Sequence, residues 1–241
     1  MRTLLTVLAL ALVAPIFGAP AGAAPSAARS GPTYSVVVVL DGVTVRLGPH
    51  TAQVVTVNHT RGYHARVTLW ARHDGRWVQR LRADDGRIGY GGLVVGTRRR
   101  QGTGTTPLGT YPLPWAFGTH APRPGWGLRY REIRRGDFWV QDNASDYYNR
   151  YRAKRQGGFR WWLPPSDPDS SERLTDFGRQ YEYSVVVGFN TAQVRHRGSG
   201  IFLHVNGRGA TAGCVSAPRR FLRALMNRLD PQRRPVIAVG R

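Results

Sequence analysis

The sequence predicts a mainly β protein, a sandwich or barrel-like pair of sheets with one helix near the C-terminus. Three observations predict it. Short runs rich in β-branched and aromatic residues recur along the chain, Gly, Pro and Asp punctuate them, and one stretch carries apolar residues at helical spacing. No internal repeat or low-complexity segment stands out.

The elements follow in chain order. Residues 1–23 hold Arg2, an apolar stretch from Leu4 to Phe17 and small residues ending Ala21-Gly22-Ala23. That is the pattern of a cleavable secretory signal peptide. The stretch is short for a bilayer span and no later segment approaches that length, so a secreted, extracytoplasmic protein without a transmembrane segment after cleavage is expected. "YSVVVVL" and "VTVRL" read as strands joined through Asp41-Gly42. Residues 24–49 are therefore expected to be an N-terminal extension or a strand pair, ahead of a main domain over 50–241.

"AQVVTVN", "ARVTLWA" and "RWVQRL" continue the pattern, with a second reversal at Asp74-Gly75. "GLVVG", "DFWVQD", "YEYSVVVGFN", "GIFLHV" and "PVIAVG" complete the strand runs. Alternation in "GIFLHV" sets Phe202 and His204 on one face and Ile201, Leu203 and Val205 on the other. In "APRRFLRALMNRLDP" the stripe Phe221, Leu222, Leu225 and Leu229 predicts a helix over 218–230 packed on the sheet. Pro218 suits its first turn and Pro231 stops it. Residues 143–180, rich in Tyr, Trp, Pro and Arg, resist a strand reading; their length suits a lid or binding loop as well as an irregular surface segment.

Composition bounds the function. Lys+Arg number 35 against 14 Asp+Glu, a net charge of +21, with Lys154 the only lysine. Such a protein concentrates on polyanions, which outside a cell are anionic wall polymers, lipid headgroups or stray nucleic acid. Charge alone implies no specific nucleic acid. His50, His59, His64, His73, His120 and His196 form no H-E-x-x-H arrangement and there is no cysteine pair, so neither a metal site nor a cofactor is expected. "GTGTTPLG" lacks the G-K-[ST] of a phosphate loop and reads as a turn. Asp142 and Glu172 read as solvated surface charges or as groups that position substrate amines. Trp161 and Trp162 read as aromatic core or as a platform for sugar faces.

The one cysteine, Cys214, stands ten residues after His204, with Gly207, Gly209 and Gly213 between them. An ordinary thiol is only about 3% thiolate at pH 7, so a working nucleophile needs a base or a cation beside it. Gly213 would let a carbonyl approach the backbone, and the N–H of Cys214 with a neighbouring N–H would then serve as an oxyanion hole. The N-terminus of the following helix would lower the thiol pKa. Against this, "VNGR" also reads as a tight hairpin, and that register would carry Cys214 about 16 Å past the histidine. A nucleophile requires the glycine-rich segment to fold back, and a buried inert cysteine does not.

"IFLHV…TAGCV" resembles the histidine and S/T-x-G-C signature of YkuD-type L,D-transpeptidases. "RIGYGGLVVGTRRRQGTGTTPLGTYPL" resembles the upstream block of that family, with its T-P-x-G-x-[FY] at Thr106 to Tyr111. "GDFWVQDNASDYYNRY" resembles the W-V-x-D…Y-N segment of secreted actinobacterial members. The resemblance runs from about residue 50 to the C-terminus and implies a YkuD-like β-sandwich or barrel, with 50–241 as its catalytic domain. It implies Cys214 as nucleophile, His204 as base, Gly213 and Thr211 as oxyanion and loop support, and Ser216, Tyr111 and Asn206 as substrate contacts. The implied substrates are peptidoglycan stem peptides, cross-linked through a thioester or trimmed when water resolves it, with carbapenem-type compounds as inhibitors. Ala212, Val205 and Ser216 depart from the residues many members carry there. A non-catalytic wall-binding protein that keeps the fold is the alternative.

Overall fold

A computed structural model of the chain describes residues 36–241. The signal-peptide reading of residues 1–23 lies outside the described residues, as do residues 24–35 of the stretch that follows it. Strands β1 (Val36–Leu40) and β2 (Val43–Leu47) form an antiparallel hairpin. Its turn residues, Asp41 and Gly42, have φ of 55° and 77°, the left-handed pair that suits strand twist. Strands β3 (Gln53–Arg61), β4 (His64–His73) and β5 (Arg76–Arg87) make a meander, and Asp74 and Gly75 repeat the same turn chemistry with φ of 46° and 77°.

Five short strands come next: β6 (Leu93–Val95), β7 (Thr106–Pro112), β8 (Ala116–Gly118), β9 (Tyr130–Glu132) and β10 (Asp137–Trp139). They are followed by β11 (Tyr151–Ala153), β12 (Glu172–Arg173), β13 (Tyr183–Val186), β14 (Phe202–Val205) and β15 (Val215–Ala217). Helix α1 (Arg219–Met226) and β16 (Val236–Gly240) close the chain.

Eleven of these strands form one mixed sheet in the order β6-β7-β16-β3-β4-β5-β15-β14-β13-β8-β9, while β11-β10-β12 form a small separate one. The described residues are thus mainly β with one α-helix, as the sequence predicts. Helix α1 is shorter than the expected 218–230: Pro218 stands outside it as the N-cap, and Asn227 caps its other end four residues before Pro231. Past Met226 the chain still turns tightly, with the Leu229 N–H donating to Leu225 O at 3.0 Å. Phe221, Leu222, Leu225 and Leu229 are all buried, so the apolar stripe does the packing expected of it.

Strand alternation sorts the side chains to the two faces of the large sheet. One face carries Val55, Val67, Val185, Leu203, Val215 and Ile237, and α1 packs onto this main core. On the opposite face the β1–β2 hairpin covers Val54, Val236 and Ala238. Phe117, Val186, Phe202 and Cys214 also belong to the opposite face and cluster with Trp139, Leu174 and Tyr181 from the segment between β9 and β13. Residues 143–180, read from sequence as a lid or irregular surface, thus take part in a short sheet and in covering this second face. No helix among the described residues is long and apolar enough to cross a membrane.

Candidate active site

The connection from β14 to β15 decides the geometry. A tight hairpin at "VNGR" would have run the chain back antiparallel; instead residues 206–214 cross over, and β15 pairs parallel to β14. His204 then stands opposite Ser216. The two-residue period of both strands brings Cys214 to the level of Phe202, on the same outward face as Phe202 and His204. Both Cys214 and His204 line one groove of about 700 Å³. This is the fold-back that a nucleophile requires.

The crossover is held by side chains from far upstream. Thr106 on β7, fully buried, accepts from the Gly89 N–H at 2.8 Å and donates to Gly213 O at 2.8 Å. The loop also bonds main chain to main chain, Tyr90 N–H to Thr211 O at 2.9 Å and Thr211 N–H to Ile88 O at 3.0 Å. Inside the loop, the Thr211 hydroxyl donates to Cys214 O at 2.6 Å and accepts from the Gly213 N–H at 3.2 Å. Gly213 has φ of 131°, and a Cβ there would lie 2.7 Å from Arg99 Nη2 and 2.9 Å from Thr105 O. Backbone conformation and close packing both require glycine at this position.

The thiol and the imidazole rest as neutral groups. Sγ of Cys214 donates to Gly200 O at 3.3 Å and accepts from the Phe202 N–H at 3.4 Å. Burial is the main cause that pushes the thiol up to about 12, with the Glu172 charge adding to it; the Phe202 N–H and the Arg99 guanidinium pull the other way. Nδ1 of His204 lies 2.8 Å from Val205 O. A carbonyl only accepts, so Nδ1 carries the hydrogen and Nε2 is left as the base. Burial holds this imidazole down at about 4. Strand β15 stands between Cys214 and the N-terminus of α1, and burial raises the thiol pKa.

A family model of the L,D-transpeptidase catalytic domain, YkuD, matches residues 53–237. The chain belongs to the YkuD family. Its members are acyltransferases that act on peptidoglycan stem peptides. No curated protein and no solved structure matches the chain.

Of the YkuD residues carried over from sequence, the groove brings together Cys214, His204 and Thr211, with Gly213 directly behind the thiol. The other three stand outside its lining. Tyr111 packs edge-on to Phe189, and its hydroxyl donates to Leu108 O at 2.7 Å. Ser216, fully buried, donates to Asn206 Oδ1 at 2.7 Å, and Asn206 Nδ2 donates to Asp85 O at 2.7 Å. Ser216 and Asn206 therefore clasp the two ends of the crossover.

Several groups that matter escape a sequence reading. Arg99 is almost wholly buried, donating from Nε to Thr105 O at 2.7 Å, with the Cys214 thiol within its electrostatic reach. Asn149 accepts at Oδ1 from Trp139 Nε1 and from the Gly200 N–H, both at 3.0 Å, which fixes the carbonyl that faces the sulfur. Trp139 and Asn149 are the outer letters of the W-V-x-D…Y-N segment, so that motif is the visible trace of this clamp.

Of the two readings of Asp142 and Glu172, solvated surface charges or groups that position substrate amines, the solvated one fails for both. Asp142 is buried against the Arg160 guanidinium and the N–H groups of Ala144 and Arg160. Glu172 lines the groove, bonded to the Tyr181 hydroxyl and, at 3.3 Å, to Gln141 Nε2. The Tyr181 ring in turn stands edge-on to the His204 ring at 5.4 Å. Trp161 packs against the Phe138–Phe159 cluster with Lys154 Nζ 3.4 Å from its ring, whereas Trp162 is exposed. Among the described residues no group of three His, Cys, Asp or Glu side chains is arranged to hold a metal.

Proposed function

We propose that the protein is an exported, cysteine-dependent L,D-transpeptidase that works through a thioester on Cys214. The observation that carries this reading is the parallel β14–β15 pair, which sets sulfur and imidazole on one face of the sheet beside an open groove. As the thiolate forms, the proton leaves Sγ, gives up its bond to Gly200 O and passes to Nε2 of His204. The sulfur attacks the amide carbonyl of the third residue of a stem peptide. The C–N bond breaks, and the released D-alanine amine takes the proton back from His204. The amides of Gly213 and Cys214 are the oxyanion donors in this reading, the Gly213 N–H trading its long bond to Thr211 for the oxyanion. A second stem's amine then resolves the thioester as a cross-link, or water resolves it as a trimmed stem. No cofactor takes part.

A neutral resting pair gives this chemistry its character. Neither charge exists before substrate arrives, so the cost of forming the ion pair falls inside the acylation step. The buried Arg99 guanidinium offsets part of it by stabilising the thiolate. Export is supported by the residue 1–23 pattern.

Intact-mass measurement after exposure to a carbapenem tests the reading. Wild type gains one covalent adduct and Cys214→Ser gains none. Absence of an adduct on wild type, or an equal adduct on the serine variant, leaves the non-catalytic wall-binding protein as the better reading.

A further inference from the structure

Most carboxylates packed against this protein are neutralised by arginine, as Asp142 is by Arg160, Asp137 by Arg131 and Glu182 by Arg219. Glu172 is not. Among the described residues no basic side chain lies within ion-pairing distance of it, in a chain that carries 35 Lys+Arg. Its partners are neutral donors, Tyr181 from the turn before β13 and Gln141 from just beyond β10. Asp176, from the turn after β12, adds a like charge, and the Cys214 thiol lies within electrostatic reach from across the groove. The neighbouring Arg173 points elsewhere, over the Phe138 ring at 5.8 Å. Burial pushes the Glu172 carboxyl up to about 7. A carboxylate kept apart from so many available cations, and facing the cavity that holds the thiol, is a vacancy for a cation brought from outside.

We propose that Glu172 receives the ammonium of the acyl-accepting amine and takes its proton as that amine attacks the Cys214 thioester. The proposal rests on the cysteine chemistry above and adds the group that selects amine over water. A primary ammonium ionises near pH 10 and has no lone pair to attack with, so it needs a proton acceptor beside the reacting carbon. His204, held neutral with a pKa of about 4, is a weak acceptor for that purpose. The atoms balance as follows. The ammonium gives one proton to the Glu172 carboxylate, and the freed amine forms the C–N bond. The C–S bond breaks, and a second amine proton passes through His204 to the leaving thiolate. Glu172 then returns its proton to solvent. Tyr181, hydrogen-bonded to Glu172 and edge-on to the His204 ring, links the two acceptors along the groove that holds the thiol.

The test acylates the purified full-length protein with a donor tetrapeptide stem. A stem peptide bearing a free side-chain amine is then added, and amide and hydrolysis products are separated by mass spectrometry across pH. In wild type, aminolysis rises through an acid limb near pH 7, where Glu172 ionises. Glu172→Gln loses that limb, raises the acceptor KM about tenfold or more, and lowers the amide-to-hydrolysis ratio by a similar factor. Tyr181→Phe removes a donor to the carboxylate and moves the limb to higher pH. It carries the test alone if the Gln variant does not fold. Unchanged acceptor KM, product ratio and pH limb in these variants overturn the proposal while leaving the thioester reading intact. A wild-type protein that forms no acyl-enzyme overturns both.

Discussion

At the scale of single residues, His204 and Glu172 pull stability in opposite directions with pH. Unfolded, an imidazole takes its proton near pH 6.5, but the folded protein keeps His204 neutral down to about 4. Between those values the unfolded chain binds more protons, so stability falls as the solution becomes more acid. Glu172 has a folded pKa of about 7 against an ordinary 4.5. There the native state holds the extra proton, and stability falls as pH rises. The two windows nearly coincide and the effects offset each other. Glu172→Gln removes one arm, and the variant is expected to lose about 3 kcal/mol between pH 6.5 and pH 4 that wild type does not lose. Calorimetric melting across that range checks it. Equal, flat profiles would mean that His204 takes up its proton freely in the folded state. The same two residues mark the limit of a sequence reading. A histidine at a strand end and a glutamate in a polar stretch are named easily; that both are enclosed by protein depends on aromatics brought from residues 115–181.

Elements decide where the thiol goes. The Asp-Gly hairpins at 41–42 and 74–75 and helix α1 were legible because their signals lie within a few neighbouring residues. The β14–β15 crossover was not. "VNGR" is as good a local hairpin signal as either Asp-Gly turn, and the sequence left both paths open. The outcome is set by partners about 110 residues upstream in the chain, above all Thr106 on β7, whose hydroxyl joins Gly89 to Gly213. Close packing of backbone matters equally here, since a Cβ on Gly89 would meet Gly104 O at 1.9 Å. Thr106→Val keeps the shape of the side chain but strips the Gly89 N–H and the Gly213 carbonyl of a buried partner. It is expected to cost about 3 kcal/mol in urea unfolding. Carbapenem acylation should slow about tenfold as the Cys214 loop loosens. An unchanged acylation rate would show that the loop holds its position without this hydroxyl. Strands β7, β8, β9, β11, β12 and β15 were missed for related reasons. All but β7 have two or three residues and no periodicity to read, and β7, whose start was read as a turn, carries Pro107, Gly109 and Pro112.

On the scale of the whole molecule, charge is divided unevenly. The chain carries +21, yet the groove lining is balanced, with Asp167, Glu172 and Asp176 against Arg99, Arg173 and Arg208. A basic exterior suits an anionic wall, while a balanced groove lets Glu172 face a cationic reactant without an arginine on it. Retention on an anionic wall polymer is expected to weaken steeply between about 0.05 M and about 0.5 M salt. Carbapenem acylation of Cys214, an event inside the groove, should change little over the same range. Co-sedimentation and intact mass on the same samples check both halves. Retention that persists at high salt would point to a specific, non-ionic contact.

The groove wall is built largely from the excursion between β9 and β13. That excursion has its own three-stranded sheet and its own apolar cluster of Phe138, Val140 and Phe159. Sulfur and imidazole belong to the large sheet instead. Four of its side chains, Trp139, Asn149, Glu172 and Tyr181, tie the excursion to that chemistry. Exchanging the remainder for a foreign insert that keeps those four would retarget the groove while leaving the reacting groups in place.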